Sequence, residues 1–419
     1  MPLLECQVLK KIYKLLSDFY PPYWILLLLM TSYVQAQIDN AYFMLPEIQL
    51  GKTMPANQFF PETESQKSIF LSVGSDNRNQ DYEWLLRLNR PWTGFTFGYT
   101  DFGNSEALGA AVTLMPFAEF DIYPSKTRLK LHIGMGFSGF STKFNLLDNR
   151  FNRGISTDYS WSFRSFLYYD LLEHRSGSLR LGAGFFHQSN GHTKLPNQGL
   201  NSFAFSISSK IAPYAEGVPS DLPPERDKEN SKQYYFSVRT GIGQQVLTFD
   251  NFLLTDIEDY NDPKEVYALA IGGGIIINRY LKLGGGIHYR FYEHYYDYIK
   301  RNDLAPYNES PVLNGSNFGI FFGGEFLLSH IGLEFQMGVN FYKPFYEVDW
   351  LLNEDELNGY YELKKHVPVR LGIKFYALNT DNNPKHNVFL GANINANLGQ
   401  ADFTELSIGY VRRLDLKTD

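Results

Sequence analysis

Residues 179–207 read LRLGAGFFHQSNGHTKLPNQGLNSFAFSI, and this stretch decides the fold. Apolar side chains occupy every second position from Leu179 to Phe185, and the alternation resumes from Phe203 to Ile207. Because successive side chains of a strand point to opposite faces, the stretch predicts a β-hairpin with one apolar face. The opposite face of the first strand is polar or small, with Phe186 as its exception: Arg180, Gly182, Gly184 and Gln188.

The same unit, an alternating run followed by a turn, repeats from about Ser68 onward. We count about 16 runs, with 12 or 14 as alternatives; they include Leu129–Phe137, Tyr234–Gly243, Tyr267–Ile277, Phe318–Leu327 and Val367–Tyr376. Beyond residue 36, no segment approaches the ~18–20 unbroken apolar residues of a membrane helix. Aromatic residues, in contrast, reach 16% of the chain. The sequence therefore predicts an all-β fold, an antiparallel transmembrane outer-membrane β-barrel.

Connection lengths predict the direction of the strands. If the run ending at Ser189 rises toward the cell exterior, the periplasmic connections should be short, as at Pro124–Lys126, Arg175–Gly177, Asn278–Arg279 and Ser329–His330. The connection at residues 215–232 is an exception, because it is long, charged and rich in proline. We interpret it as a linker or plug-like excursion between two blocks of strands.

The N-terminus is typical of an export signal. Lysines precede the apolar run Trp24–Met30, and Ala36 offers a small residue for cleavage before Gln37. The predicted organisation is a signal peptide over residues 1–36, a periplasmic segment over 37–65, and a barrel over 66–413 with a charged linker near 215–232. An uncleaved membrane anchor is the alternative reading of the N-terminus, and its apolar core is short for that role.

Charge and cysteine content exclude several classes of function. The formal charge of -7 gives no indication of a nucleic-acid partner. The chain has one cysteine, Cys6, inside the predicted signal peptide. We therefore expect no disulfide, zinc–thiolate site or cysteine nucleophile in the mature protein. The glycine runs at 272–274 and 284–286 lie in alternating segments, which favours close strand contacts over a phosphate-binding loop.

The chemistry is concentrated where the first apolar stripe ends. Period-two geometry places His187 and Ser189 on the apolar, lipid-facing side, close enough for the imidazole to accept the serine proton. In the hairpin, Asn201 comes beside His187, and its amide oxygen can fix the tautomer. A neutral amide suits this position, because an ionised carboxylate beside hydrocarbon carries a heavy desolvation cost.

The residues after the serine are candidates for binding an oxyanion. The backbone N–H of Gly191 is the expected donor, with the side-chain amide of Asn190 as a second candidate. No metal site is expected. His294 and Asp297 lie three apart in a strand-like aromatic stretch, which would point them to opposite faces. A histidine and a serine near a strand end are common, so the alternative is that the pair has no catalytic role.

The motif resembles that of the outer-membrane lipid A 3-O-deacylase family, whose larger members are often labelled acyloxyacyl hydrolases. His187-Gln188-Ser189-Asn190 matches its His-x-Ser-Asn, and Pro196-Asn197-Gln198-Gly199-Leu200 matches its Pro-Asn-x-Gly-Ile/Leu, nine residues after the histidine. Asn149–Asn152, Ile155 and the strand Leu108–Tyr123 extend the similarity over about residues 93–210. The resemblance implies His187 as general base, Ser189 as nucleophile and a supporting role for Asn197.

One position departs from that family. Its smaller members have a glutamate where this chain has Asn201, whereas outer-membrane phospholipase A has asparagine at that spacing and also reads His-x-Ser-Asn-Gly. The phospholipase requires calcium and forms dimers, but it has arginine where this chain has His192. We therefore expect no cofactor for a lipid A deacylase, and calcium only for a phospholipase A-like enzyme.

The sequence thus predicts an outer-membrane serine hydrolase that removes a fatty acyl chain from lipid A or lipopolysaccharide. Its partners would be lipids of the outer leaflet, with a homodimer possible. The alternatives are an outer-membrane phospholipase A acting on phospholipid, and a porin-like barrel without enzymatic activity.

Overall fold

The structure is a computed structural model that describes residues 41–57, 59–77, 80–122, 128–174, 177–211, 228, 230–247, 262–352 and 357–414. Sixteen antiparallel strands form two closed barrels of eight strands each within these ranges. We call them barrel 1 (residues 41–211) and barrel 2 (residues 232–414). The all-β class and the count of about sixteen strands are confirmed.

Barrel 1 contains β1–β8 in sequence order. The strands are β1 (Ala41–Met54), β2 (Gln66–Asp76), β3 (Trp92–Asp101), β4 (Ala110–Asp121), β5 (Leu129–Phe140), β6 (Tyr159–His174), β7 (Gly177–Ser189) and β8 (Leu200–Ile211). The short helix α1 (Glu83–Arg87) lies between β2 and β3. The barrel closes between β1 and β8, where Leu50 stands opposite Phe205.

Barrel 2 repeats this arrangement. Its strands are β9 (Lys232–Gln245), β10 (Lys264–Ile277), β11 (Leu281–Tyr292), β12 (Ser316–Leu328), β13 (Ile331–Tyr342), β14 (Pro368–Tyr376), β15 (His386–Asn397) and β16 (Gln400–Leu414). The α-helices of its connections are α2 (Glu293–Arg301), α3 (Pro311–Asn314), α4 (Tyr346–Leu351) and α5 (Gly359–His366). Closure joins β16 to β9, with Leu406 opposite Ile242.

Two features of this architecture differ from the sequence prediction. The strands close twice instead of forming one barrel over residues 66–413, and residues 41–54 of the supposed periplasmic segment are β1. Alternation defines the two faces of each strand but does not specify its neighbours, so it cannot distinguish one closed sheet from two. The charged connection follows barrel 1 and precedes barrel 2, although most of residues 215–232 lie outside the described ranges.

The connections at one end of the barrels are mostly short. Asn278–Arg279 and Ser329 adopt positive φ angles in tight turns between neighbouring strands, as the sequence predicted. Pro124–Lys126 and most of Arg175–Gly177 lie outside the described residues, as do the predicted signal peptide and its alternative reading as an anchor. Among the described helices, none has the length and apolar character needed to cross a membrane.

The outward faces of both barrels are apolar. On β7 and β8 the exposed side chains are Leu179, Leu181, Phe203, Phe205 and Ile207; on barrel 2 they include Tyr267, Ile287, Phe322, Phe335, Leu390 and Leu406. Such side chains would be unfavourable in water but suit a hydrocarbon environment. Both barrels therefore have the outward surface of a transmembrane β-barrel.

Buried charges form ion pairs in the interiors of both barrels. In barrel 1 Arg164 binds Glu47 at 2.6 Å and Arg180 binds Glu119 at 2.9 Å. In barrel 2 Lys374 lies 2.9 Å from Glu325. The predicted polar interior also accommodates Phe186, which packs against Phe70 and Met115.

A cavity of about 30 Å³ remains inside barrel 2, which is room for about two water molecules. Its lining includes the charged side chains Arg239, Lys282, Glu325, Glu334 and Lys374. A cavity of this size and lining is far smaller than the aqueous channel of a porin.

The glycine runs lie in strands, as predicted. Gly274 stands opposite Gly284 across β10 and β11. A Cβ atom added to Gly274 would lie only 2.5 Å from the Cα of Gly284. Close strand contact, not phosphate binding, therefore explains these glycines.

Double closure can be tested by cross-linking. Cysteines placed at Ile242 and Leu406 should form a disulfide across the β9–β16 pair, because paired residues of neighbouring strands lie within disulfide reach. We expect a fast-migrating oxidised species on a non-reducing gel of the Cys6→Ser background. Cysteines at Phe205 and Ile242 should stay reduced, since β8 and β9 belong to different closed sheets. Cross-linking of that control pair alone would indicate a single barrel.

Candidate active site

Two neighbouring strands bring the predicted residues together. His187 on β7 stands directly opposite Asn201 on β8, and Ser189 follows two residues later on the same face as His187. This face is the outward one, because Phe203 and Phe205 beside it are exposed. The site lies where β7 ends, and we call this the outer end of barrel 1.

Hydrogen bonds join the three side chains in a line. The Oδ1 atom of Asn201 lies 2.7 Å from Nδ1 of His187, and Nε2 of His187 lies 3.1 Å from Oγ of Ser189. If Nδ1 carries the proton and donates it to the amide oxygen, Nε2 is left as the acceptor for the serine hydroxyl. This is the geometry that activates a serine nucleophile. Ser189 is only 9% exposed, so its hydroxyl is largely shielded from solvent.

Asn190 supports the loop that follows the serine. Its Nδ2 atom donates to Ser156 Oγ at 3.0 Å and to Lys194 O at 2.7 Å, while its Oδ1 accepts from the backbone N–H of His192 at 2.9 Å. Both side-chain hydrogens are therefore already used, and the amide of Asn190 is not available as the second oxyanion donor considered from the sequence.

Asn197 holds the same loop from its other side. Its Oδ1 accepts the backbone N–H of Asn190 at 2.9 Å. Gly191 has a φ of +66°, a conformation that glycine adopts without strain. Its own N–H has no hydrogen-bond partner among the described residues and remains available as a donor.

A neighbouring loop, residues 141–158, forms hydrogen bonds with the loop that follows Ser189. Gly154 O accepts the N–H of Gly199 at 3.1 Å, and the side chains of Asn149 and Asn152 both donate to Ala107 O at 2.8 Å. These asparagines belong to the segment that carried the sequence resemblance. Sequence reasoning missed Ser156, because its contact with Asn190 depends on a loop that no periodicity describes.

His294 and Asp297, for which no metal site is expected, have a different conformation from the strand predicted for them. His294 and Asp297 lie on α2 and not on a strand; His294 Nε2 contacts Asp262 O at 2.8 Å, and Asp297 pairs with Lys264. Burial lowers the pKa of His294 to about 4. Within the described ranges, no group of three or more histidine, cysteine, aspartate or glutamate side chains has the arrangement of a metal site.

Comparison with protein families matches both barrels. Residues 77–210 match the model described as lipid A 3-O-deacylase (PagL), and residues 234–413 match the model described as acyloxyacyl hydrolase, C-terminal domain. The two ranges together span about three quarters of the chain. The chain thus combines a lipid A 3-O-deacylase (PagL) domain with an acyloxyacyl hydrolase C-terminal domain. It is an outer-membrane hydrolase that acts on ester bonds, as the sequence motif predicted.

Solved structures give weaker similarities. The crystal structure of the outer membrane enzyme PagL is 18% identical, covers 40% of this chain and 98% of its own, and has a TM-score of 0.28. CdiB from Acinetobacter baumannii is 5% identical, with 89% and 60% coverage and a TM-score of 0.16. A mutant porin of Rh. blastica is 8% identical, with 89% and 100% coverage and a TM-score of 0.17. No curated protein matches the chain.

Gly199 should be critical for the geometry of this candidate site. Its φ is +73°, and an added Cβ would lie 3.1 Å from Cε1 of His187. We expect Gly199→Ala to displace the imidazole and reduce ester hydrolysis at least tenfold, or about 1.4 kcal/mol in the barrier. Gly399→Ala is the matched control, because Gly399 has a φ of +90° with nothing within 4 Å of the added Cβ. If both substitutions reduced ester hydrolysis equally, backbone strain alone would explain the loss, without displacement of His187.

Proposed function

We propose that this protein removes a fatty acyl chain from lipid A by a serine–histidine mechanism on the lipid-facing surface of barrel 1. The observation that carries the proposal is the hydrogen-bonded line Ser189–His187–Asn201 at the outer end of an apolar stripe. The family match supplies the class of substrate, since its description names a lipid A 3-O-deacylase.

The surroundings of the site suit a substrate within the membrane. Phe203, Phe205 and Ile207 are 57%, 76% and 58% exposed on the strand that carries Asn201. Exposed aromatic and aliphatic side chains at this density favour acyl chains as neighbours. A lipid of the outer leaflet would therefore present its ester to Ser189 without leaving the bilayer.

The reaction begins with attack of Ser189 Oγ on the ester carbonyl. His187 Nε2 accepts the hydroxyl proton, the carbonyl oxygen becomes an oxyanion, and the tetrahedral intermediate expels the sugar alkoxide, which takes the proton back from His187. Water, deprotonated by His187, then attacks the acyl-enzyme and releases the fatty acid and free Ser189. The Gly191 N–H is the proposed donor to the oxyanion.

Asn201 has the role of an orienting residue in this scheme. Its carbonyl oxygen holds the His187 proton on Nδ1 and so leaves Nε2 basic. A neutral amide does this without placing a second charge beside hydrocarbon, where an unpaired carboxylate would be costly. None of these steps uses a metal ion, and we therefore propose that the reaction needs no cofactor.

A phospholipase A activity is the second candidate, and the residue that favours it is Asn201. The same line of side chains would cleave an acyl ester of a glycerophospholipid by identical steps. We do not propose a porin-like function. Buried ion pairs occupy the barrel interiors, and the matching families are ester hydrolases.

Replacement of the nucleophile tests the proposal directly. Lipid A from cells that produce Ser189→Ala should keep all of its acyl chains, whereas lipid A from cells with the unaltered protein should lose the mass of one chain in mass spectrometry. Ser202→Ala is the matched control, since Ser202 is buried on the inner face of β8. Unaltered activity of Ser189→Ala would refute the serine mechanism.

Assays with the purified unaltered protein and the purified Ser189→Ala variant distinguish the two lipid substrates. We expect acyl release from lipid A in mixed micelles to be the same with EDTA and with calcium. If fatty acid appears only from glycerophospholipid and only with calcium, the phospholipase reading is correct. A homodimer, which belongs to that reading, would be visible as cross-linked pairs of the full chain.

If Asn201 only orients His187, its replacement should reduce activity less than replacement of Ser189. Asn201→Ala should lower kcat about tenfold to a hundredfold, or about 1.4–2.7 kcal/mol in the barrier, because His187 remains able to accept the serine proton in part of the population. Ser189→Ala should abolish measurable turnover. The two rates, measured on the same lipid A micelles, would contradict the assignment if Asn201→Ala were as inactive as Ser189→Ala.

A further inference from the structure

The two barrels contact each other through hydrogen bonds at both of their ends. At the end of barrel 1 that carries Ser189, the contacts involve Thr404 at the start of β16 and Val246 just after β9. At the opposite end, Trp84 Nε1 donates to Ser329 Oγ at 3.1 Å. The barrels therefore lie side by side, and one of the two contact regions includes the candidate active site.

Thr404 bridges two residues that flank the proposed nucleophile. Its Oγ1 accepts a hydrogen bond of 3.2 Å from Trp161 Nε1 and donates a longer one of 3.4 Å to Gly191 O. Trp161 stands directly opposite Ser189 across β6 and β7, and Gly191 follows Ser189 by two residues. One hydroxyl of barrel 2 thus contacts both sides of the nucleophile in barrel 1.

The space around Gly191 shows how tight this contact is. A Cβ atom added to Gly191 would lie 2.2 Å from Thr404 Oγ1 and 3.5 Å from Trp161 Cδ1. Its φ of +66° already favours glycine, and the approach of barrel 2 excludes a larger side chain independently. The catalytic loop, which we define as residues 190–193, is therefore packed against barrel 2.

A second backbone contact holds the next residue. The Val246 N–H donates to His192 O at 3.3 Å, while the His192 N–H is held by Asn190 Oδ1 at 2.9 Å. Burial lowers the pKa of His192 and so disfavours the protonated form of its ring. The peptide group between Gly191 and His192 is therefore held by both barrels. Its N–H, that of His192, binds Asn190 in barrel 1, and its C=O, that of Gly191, binds Thr404 in barrel 2.

The contacting part of barrel 2 is itself well anchored. Asp402, two residues before Thr404, accepts from Gln245 at 2.9 Å and from Tyr292 at 2.8 Å, and Lys343 lies 3.9 Å away. Asp402 and Tyr292 are buried. A hydrogen-bonded, buried start of β16 gives Thr404 a fixed position from which it can restrain the catalytic loop.

We propose that barrel 2 positions the catalytic machinery of barrel 1, and that Thr404 is the positioning residue through its hydroxyl contacts with Gly191 and Trp161. The inference rests on the proposed serine mechanism and assigns barrel 2 a part in that reaction. Thr404 acts through Gly191, whose N–H is the proposed oxyanion donor. Transition-state stabilisation of this kind depends on donors that are already in place before the charge develops.

The proposal predicts a change in kcat with little change in KM. Thr404→Val keeps the shape of the side chain and suits a strand, but it removes both hydrogen bonds. A looser donor would stabilise the developing oxyanion less, while lipid binding to the outer face would be unaffected. We expect kcat to fall about fivefold to twentyfold, and Thr404→Ser, which restores the hydroxyl, to recover most of that loss.

The experiment uses the full chain with four substitutions made separately. Rates of acyl release from lipid A micelles, and rates of Ser189 labelling by a fluorophosphonate, are measured for Thr404→Val, Thr404→Ser, Trp84→Phe and Ser189→Ala. Trp84→Phe is the matched control, because it removes the Trp84–Ser329 hydrogen bond at the opposite end. Retained heat-modifiable gel mobility shows that each variant is folded.

Slower turnover and slower labelling in Thr404→Val, with recovery in Thr404→Ser and normal rates in Trp84→Phe, support positioning by barrel 2. Normal rates in Thr404→Val overturn it, and equal losses in Trp84→Phe and Thr404→Val overturn it in favour of general docking of the barrels. Activity in Ser189→Ala would instead refute the proposed function, so the two failures are distinguishable.

Discussion

The constraint on which this structure depends is that backbone N–H and C=O groups have no water to bind in hydrocarbon. Each strand must therefore pair on both edges, and a sheet in the membrane must close on itself. Here β1 pairs with β8 and β9 pairs with β16, so each half of the chain meets this requirement alone. The charged interior residues follow from closure, because they face a space sealed from lipid and can be paired across it, as in Arg180 with Glu119.

Closure also explains how the candidate active site is built. A hairpin inside a closed sheet fixes the register that sets His187 beside Asn201, and strand alternation places Ser189 on the same face as His187. The loop between the strands needs separate support, which comes from Asn190, Asn197 and the neighbouring loop around Gly154. The strands thus carry the proposed base and nucleophile, while loop contacts determine where Gly191 lies.

The parts predicted from sequence are those with short-range causes. The alternation from Leu179 to Phe185 predicted both faces of β7, and the spacing of His187, Ser189 and Asn201 predicted their proximity. Double closure was not predicted, because strand pairing between β1 and β8 joins residues more than a hundred positions apart. Thr404 was invisible for the same reason, since its contact with Gly191 spans 213 positions. The α2 helix was misread because its aromatic residues resemble a strand pattern.

The link between the barrels has a consequence for control of the enzyme. Only residues 212–231 separate β8 from β9, so barrel 2 is covalently tethered to the barrel whose loop it contacts. A covalent tether keeps the two barrels together at any protein concentration, so dilution of the protein in the membrane cannot remove the partner. An enzyme that obtained such support from a second copy could be switched by association. Here the proposed support comes from the same chain, so it is present whenever the protein is folded.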